Sequence, residues 1–104
     1  TSGGGLHLYH RAGDDVVLPC RISSPFYTCS GVYWFYIRDP NRRLPLEVKD
    51  GNVVESSPRA ARLNVGSNCS LIINNITAED AGGYYCGYSI IIYDVTVLLN
   101  VLTK

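Results

Sequence analysis

The sequence contains no methionine, carries no net charge and has no long apolar run, and each absence removes a class of protein. Nine lysines and arginines balance nine aspartates and glutamates. There is therefore no basic excess to neutralise nucleic-acid phosphates or to hold a polybasic segment on an anionic membrane. No stretch reaches about 18 apolar residues, which leaves no candidate for a membrane-crossing helix. Charged residues are scarce at 17% against 46% hydrophobic ones, the reverse of a disordered tail. Without an initiator methionine or a signal peptide, the chain reads as a mature or excised segment. Any membrane attachment would then come from segments outside it. Also missing are a Gly-x-Ser-x-Gly elbow and a phosphate loop. Asp14-Asp15 and Glu79-Asp80 suit a turn and a corner better than an acid/base pair. The expectation is a non-enzymatic domain that needs no cofactor and no metal.

What is present points to a small oxidised domain. At 104 residues the chain supports one domain with a modest core, burying roughly two-thirds of its unfolded surface. Its four cysteines, Cys20, Cys29, Cys69 and Cys86, allow three pairings and suggest two disulfides in an oxidising compartment. A zinc site is the rival, but no CxxC occurs, and His7 and His10 have no cysteine near them in sequence. Two sequons, Asn68-Cys69-Ser70 and Asn75-Ile76-Thr77, fit the secretory route and make Asn68 and Asn75 candidate glycosylation sites. The cysteine inside the first sequon lowers its expected occupancy.

No segment sustains a helical period. Short apolar or alternating runs recur between Gly, Pro, Asn, Asp and Ser clusters, the pattern of an all-β sandwich. Strands are predicted over Leu6–Tyr9, Val16–Arg21, Gly31–Arg38, Leu44–Lys49, Ala61–Val65, Cys69–Asn74, Gly83–Ser89 and Tyr93–Leu102, with a short one at Asn52–Glu55. Gly13-Asp14-Asp15 and Asp39-Pro40-Asn41 are predicted turns. Thr77–Asp80 is a predicted helical turn capped by the Thr77 hydroxyl. Thr1–Gly5 looks like a flexible leader ahead of a single domain over 6–104.

One constellation unites these elements. Cys20 ends an apolar strand, Trp34 follows fourteen residues later, and Asp80-Ala81-Gly82-Gly83-Tyr84-Tyr85-Cys86 closes the segment. A Cys20–Cys86 bridge would tie two facing sheets, worth roughly 2–5 kcal/mol in so small a domain. Trp34 would pack on that bridge, and Tyr84, two residues before the second cysteine, fits a tyrosine corner. Asp80 would lie under the sandwich, paired with Arg62 as first choice or Arg59 as the alternative.

This pattern resembles the variable-type (V-set) immunoglobulin domain over Leu6 to Leu102. The resemblance implies a Greek-key β-sandwich, with strands G, F, C, C′ and C″ in front and A, B, E and D behind. The last strand, Tyr93-Asp94-Val95-Thr96-Val97-Leu98-Leu99, lacks the Phe-Gly-x-Gly joining segment, so the resemblance does not extend to rearranged antigen receptors. In that topology Cys29 falls before strand C and Cys69 at the start of strand E, where a bridge would link a hypervariable-like loop to the opposite sheet. The stretches Gly66–Ile73 and Ile76–Gly82 look like innate receptors of bony fish. Diverse immunoglobulin-domain-containing proteins come first and novel immune-type receptors second.

Strand alternation separates the faces. With Trp34 inward, Val32 and Tyr36 follow it, and Tyr33, Phe35 and Ile37 point out of the front sheet. With Cys86 inward, Tyr85 and Gly87 point outward, and Leu46 adds to the patch. Aromatic patches of this kind mark interfaces. The loop Ser89-Ile90-Ile91-Ile92-Tyr93 is a second candidate, because a hairpin tip normally takes Gly, Asn or Asp rather than three isoleucines. The competing reading makes that run merely the ends of two strands, which β-branched residues favour. The basic turn Arg38–Arg43 is expected to be solvated. The implied function is extracellular recognition by a cell-surface or secreted innate immune-type receptor. Its partner would be a protein, with lipid as the other class of ligand. The alternative is an adhesion or scaffold domain that homodimerises through the front sheet.

Overall fold

Val32, Trp34 and Tyr36 are buried, whereas Tyr33, Phe35 and Ile37 between them are half-buried. That alternation is what a strand with one face on the core requires. The computed structural model describes residues 6–20, 29–37, 46–88, 92–93 and 97–102. Among them the strands are β1 (Leu6–Arg11), β2 (Val16–Leu18), β3 (Val32–Ile37), β4 (Leu46–Lys49), β5 (Asn52–Val53), β6 (Leu63–Val65), β7 (Leu71–Ile73), β8 (Gly82–Tyr88), β9 (Ile92–Tyr93) and β10 (Val97–Leu102). They form a front sheet in the order β1-β10-β8-β3-β4-β5, with β9 on β8, and a back sheet β2-β7-β6. Helical structure among the described residues is limited to three short 3-10 turns, and no helix there is long and apolar enough to cross a membrane.

The two layers close on Val16, Leu18, Val32, Trp34, Val48, Leu71, Ile73, Tyr84, Cys86, Val97 and Leu99, all at most 2% exposed. Cys20 is bonded to Cys86 and Cys29 to Cys69, with Cα–Cα distances of 5.7 and 5.3 Å. Trp34 pairs with Cys86 across β3 and β8, which sets the indole beside the inter-sheet bridge. Its Nε1–H donates to the Cys69 carbonyl at 2.9 Å, so one side chain links both disulfide regions.

Several expectations need correction. The topology implied by the resemblance puts the first strand in the back sheet, but β1 runs parallel to β10 in the front sheet, with Leu6 opposite Val97 and Arg11 opposite Leu102. This pairing supplies partners for the outer edge of β10 and lets Leu8 and Val101 pack on the core. The chain changes sheets at the turn after β1. There Gly13 adopts a φ of 96°, its N–H donates to Ile76 O, and Ile76 N–H donates to Asp14 O. Ala60–Arg62 is a 3-10 turn instead of strand, since Arg62 N–H donates back to Arg59 O at 2.8 Å. Cys69 precedes β7 rather than belonging to it, in a turn with a φ of 64°. Of the predicted final strand Tyr93–Leu102, Tyr93 ends β9 and Val97–Leu102 form β10, and residues 94–96 lie outside the described residues. The strand foreseen at Asn52–Glu55 stops at Val53.

Asp50-Gly51, passed over in the sequence, is a two-residue hairpin turn joining β4 to β5. Both residues have positive φ, 53° and 80°, the type I′ geometry that Asp-Gly favours. Gly51 also lies so close to the Cys29 carbonyl that a Cβ would collide with it. Thr1–Gly5, Arg38–Arg43 and the Asp39-Pro40-Asn41 turn lie outside the described residues.

Candidate binding face

The outer face of the front sheet is built in rows fixed by strand register. Leu46, Phe35 and Tyr85 form one row across β4, β3 and β8. Ile37, Gly83, Leu98 and His7 form another across β3, β8, β10 and β1. Tyr33 lies opposite Gly87 and stacks on Phe35 with ring centroids 6.4 Å apart and planes 13° apart. The five sheet residues expected from alternation, Tyr33, Phe35, Ile37, Leu46 and Tyr85, thus share one face. All are half-buried, so they lie low on the sheet instead of standing clear in solvent. Gly83 and Gly87 place two side-chain-free lanes beside the rings.

A β-bulge explains why β4 contributes Leu46 and not its neighbour. Trp34 pairs with Val48 and Phe35 with Leu46, leaving Glu47 as the extra residue. Glu47 is consequently only 4% exposed. It accepts a hydrogen bond from Ser57 Oγ at 2.7 Å.

The face extends further than the sequence reading took it. Leu98 is half-buried on it, while Tyr9 and Leu102 toward the β1/β10 edge are 64% and 52% exposed. Val97-Leu98-Leu99 held the signal, because consecutive apolar residues in a strand mean that both faces are apolar. Of the loop candidates, Ile92 and Tyr93 lie in β9, opposite Tyr88 and Gly87. For these two the strand-end reading is the one realised. Ile90 and Ile91 lie outside the described residues.

Beneath the sandwich, at the far end from Cys69, buried charges close the corner. Asp80 is fully buried and engages both candidate arginines. Arg62 Nη1 donates to Oδ2 at 2.9 Å and Nη2 to Oδ1 at 3.0 Å, while Arg59 Nη1 donates to Oδ1 at 2.6 Å. The alternatives Arg62 and Arg59 are therefore partners of one carboxylate. Arg59 also donates to Tyr84 Oη at 2.9 Å, lies 3.3 Å from Glu47 Oε2 and covers the Tyr36 ring with its guanidinium 4.3 Å from the centroid. Tyr84 Oη–H donates to Asp80 O at 2.7 Å, the back-bond of a tyrosine corner. Thr77 caps the 3-10 turn Ala78–Asp80, with Asp80 bonding back to the Thr77 N–H. Burial pushes the Asp80 carboxyl up, but hydrogen bonds from Arg62, the Thr77 N–H and Arg59 outweigh it and hold the pKa at about 2. Burial raises the Tyr84 phenol well above its ordinary value despite the opposing Arg59 charge. Arg59 stays cationic because Tyr84, Asp80 and Glu47 outweigh its desolvation.

This corner, the Trp34-backed bridge and the six-stranded front path coincide with a match of residues 10–102 to the immunoglobulin V-set domain. The chain belongs to the immunoglobulin V-set family. A V-set domain closed by two disulfides is of the extracellular, cell-surface type, and such domains act in recognition and adhesion. No curated protein sequence matches the chain. Among the described residues of this V-set domain, no group of three or more His, Cys, Asp or Glu is placed to hold a metal ion.

Proposed function

We propose that this V-set domain is the recognition domain of a cell-surface innate immune-type receptor and meets a protein partner through its front sheet. The observation that carries the reading is the low apolar face of Tyr33, Phe35, Ile37, Leu46, Tyr85 and Leu98, set in register over four strands. Such a surface loses little hydration on docking and gains aromatic contact, the composition of an interface core. The candidate glycan acceptors Asn68 and Asn75 are both exposed. They flank β7, the central strand of the opposite sheet, which leaves the front sheet clear for protein. Tyr93, opposite Gly87 in β9, continues the row of Tyr33. Ile90 and Ile91 are proposed from their place in the sequence alone for a contact with protein or lipid, whereas Ile92 pairs with Tyr88 in the alternate register.

A second reading has its own support. Tyr33 stands opposite Gly87 and Ile37 opposite Gly83, so ridges adjoin lanes, a relief that suits packing against a two-fold copy of the same face. Sedimentation over a concentration series separates the readings. A dimer that Tyr85→Arg returns to monomer supports self-association, and a monomer throughout removes it. Screened against a panel of cell-surface ectodomains, the protein is expected to lose each hit at least about tenfold, or 1.4 kcal/mol, with Tyr85→Arg. The control Val17→Arg lies on the back sheet, where Val17 is 55% exposed. Hits that survive Tyr85→Arg and vanish with Val17→Arg would overturn the front-sheet assignment.

A further inference from the structure

Cys69 belongs to two chemical events that draw on one short segment. It is the middle residue of the sequon Asn68-Cys69-Ser70 and one half of the Cys29–Cys69 disulfide. In the folded protein this segment is a closed turn. Cys69 has a φ of 64°, its N–H donates to Gly66 O at 3.0 Å, and Gly66 N–H donates to Ser70 O at 2.8 Å. The Cys69 carbonyl is held by Trp34 Nε1. Asn68 itself is exposed, so the backbone, not burial, restricts it. Glycan transfer needs the opposite geometry, an opened segment that brings the Asn68 amide and the Ser70 hydroxyl into one enzyme site.

We propose that Asn68 is glycosylated only while Cys29–Cys69 is open, so that closing the second disulfide competes with modification and leaves two glycoforms. This rests on the secretory reading above. In one event the Asn68 amide nitrogen forms a bond to the anomeric carbon of a lipid-pyrophosphate-linked oligosaccharide. The carbon–oxygen bond to the pyrophosphate breaks, the amide gives up a proton, and the lipid pyrophosphate leaves. In the other, the Cys29 and Cys69 thiols yield two protons and two electrons to the disulfide of an oxidoreductase, which becomes a dithiol. Cys29 precedes Cys69 by 40 residues, so during synthesis it is already present when Cys69 emerges. The second event therefore starts without delay.

Asn75-Ile76-Thr77 supplies the internal standard. Its closure is non-covalent, through Asn75 N–H to Asp15 Oδ1 at 2.8 Å and the packing of Ile76, 1% exposed. It has no cysteine to be captured by oxidation.

The test translocates the chain behind a signal peptide into the secretory compartment. Occupancy at each asparagine is then read by mass spectrometry on total cell material, so that misfolded chains are counted. The wild type is expected to show partial occupancy at Asn68 and higher occupancy at Asn75. Cys29→Ser, or a mild reductant during synthesis, is expected to raise Asn68 occupancy at least about twofold and leave Asn75 unchanged. Equal Asn68 occupancy with and without Cys29 overturns the competition, as does full occupancy in the wild type. A translocated chain modified at neither asparagine removes both glycan sites, while the front-sheet reading stands or falls separately on Tyr85→Arg.

Discussion

Asp80→Ala lowers the stability of the domain by about 3–5 kcal/mol, the cost of breaking a buried ion pair by removing one partner. The substitution strips the charge from a fully buried position and strands Arg59, whose side chain is only 13% exposed. Glu47 at 3.3 Å remains, but without Asp80 the guanidinium loses its shortest hydrogen bond. The Ala78–Asp80 turn loses the half of its capping box that Asp80 supplies to the Thr77 N–H. Urea unfolding should show a lower midpoint at unchanged slope. A loss below about 1 kcal/mol would mean that the corner is held by Tyr84 and packing alone.

The same residue carries an acid limb. Its native pKa of about 2 lies below the ordinary aspartate value near 3.9, so the native state binds the proton less readily than the unfolded chain. The resulting stabilisation, about 2 kcal/mol, is fully present above pH ~4 and is lost as the pH falls through about 2. Asp80→Asn keeps the shape and removes the titration. Its stability should accordingly fall less steeply than that of the wild type across this window.

Replacing Cys20 and Cys86 together by alanine is the second large effect. The bridge spans 66 residues of sequence, and closing a loop of that length restricts the unfolded chain by about 4 kcal/mol. For a domain of this size that corresponds to a fall in Tm of roughly 20 °C. The Cys29–Cys69 loop is shorter, 40 residues, and on chain entropy alone its removal should cost slightly less. Cys86 is fully buried beside Trp34, whereas Cys20, Cys29 and Cys69 are all half-buried, so one buried sulfur adds to the difference in loop length. Thermal melts of the two double variants give the order. A smaller loss for Cys20/Cys86 than for Cys29/Cys69 would contradict it.

The front-sheet residues were legible because a period of two is a local property. Once Trp34 faces the core, covalent geometry sends Tyr33, Phe35 and Ile37 to the other side. The tyrosine corner and the Thr77 cap were legible for the same reason, since their hydrogen bonds span four residues or fewer. Leu98 was missed because Val97-Leu98-Leu99 does not alternate, and an apolar run does not say which member faces out. Glu47 escaped because its burial follows from a bulge, which appears only when two strands are laid side by side.

The absence of helical period, the four cysteines and the Cys–Trp–Tyr–Cys spacing were enough to specify an all-β sandwich that resembles a V-set domain, with the inward and outward residues of β3 and β8. They could not settle the sheet that β1 joins, because parallel pairing with β10 brings together residues some 90 positions apart. Nor could they settle whether Arg59 or Arg62 meets Asp80, since both arrive from one turn and both reach the carboxylate. Short-range chemistry follows the chain, whereas contacts between layers follow from how strands twist, cross and bulge. The absence of net charge with which the chain is first met is thus only partly an absence. Oppositely charged groups, Arg59 and Arg62 with Asp80 and Glu47, are folded inside, and the outer face is left to tyrosine, phenylalanine, leucine and isoleucine.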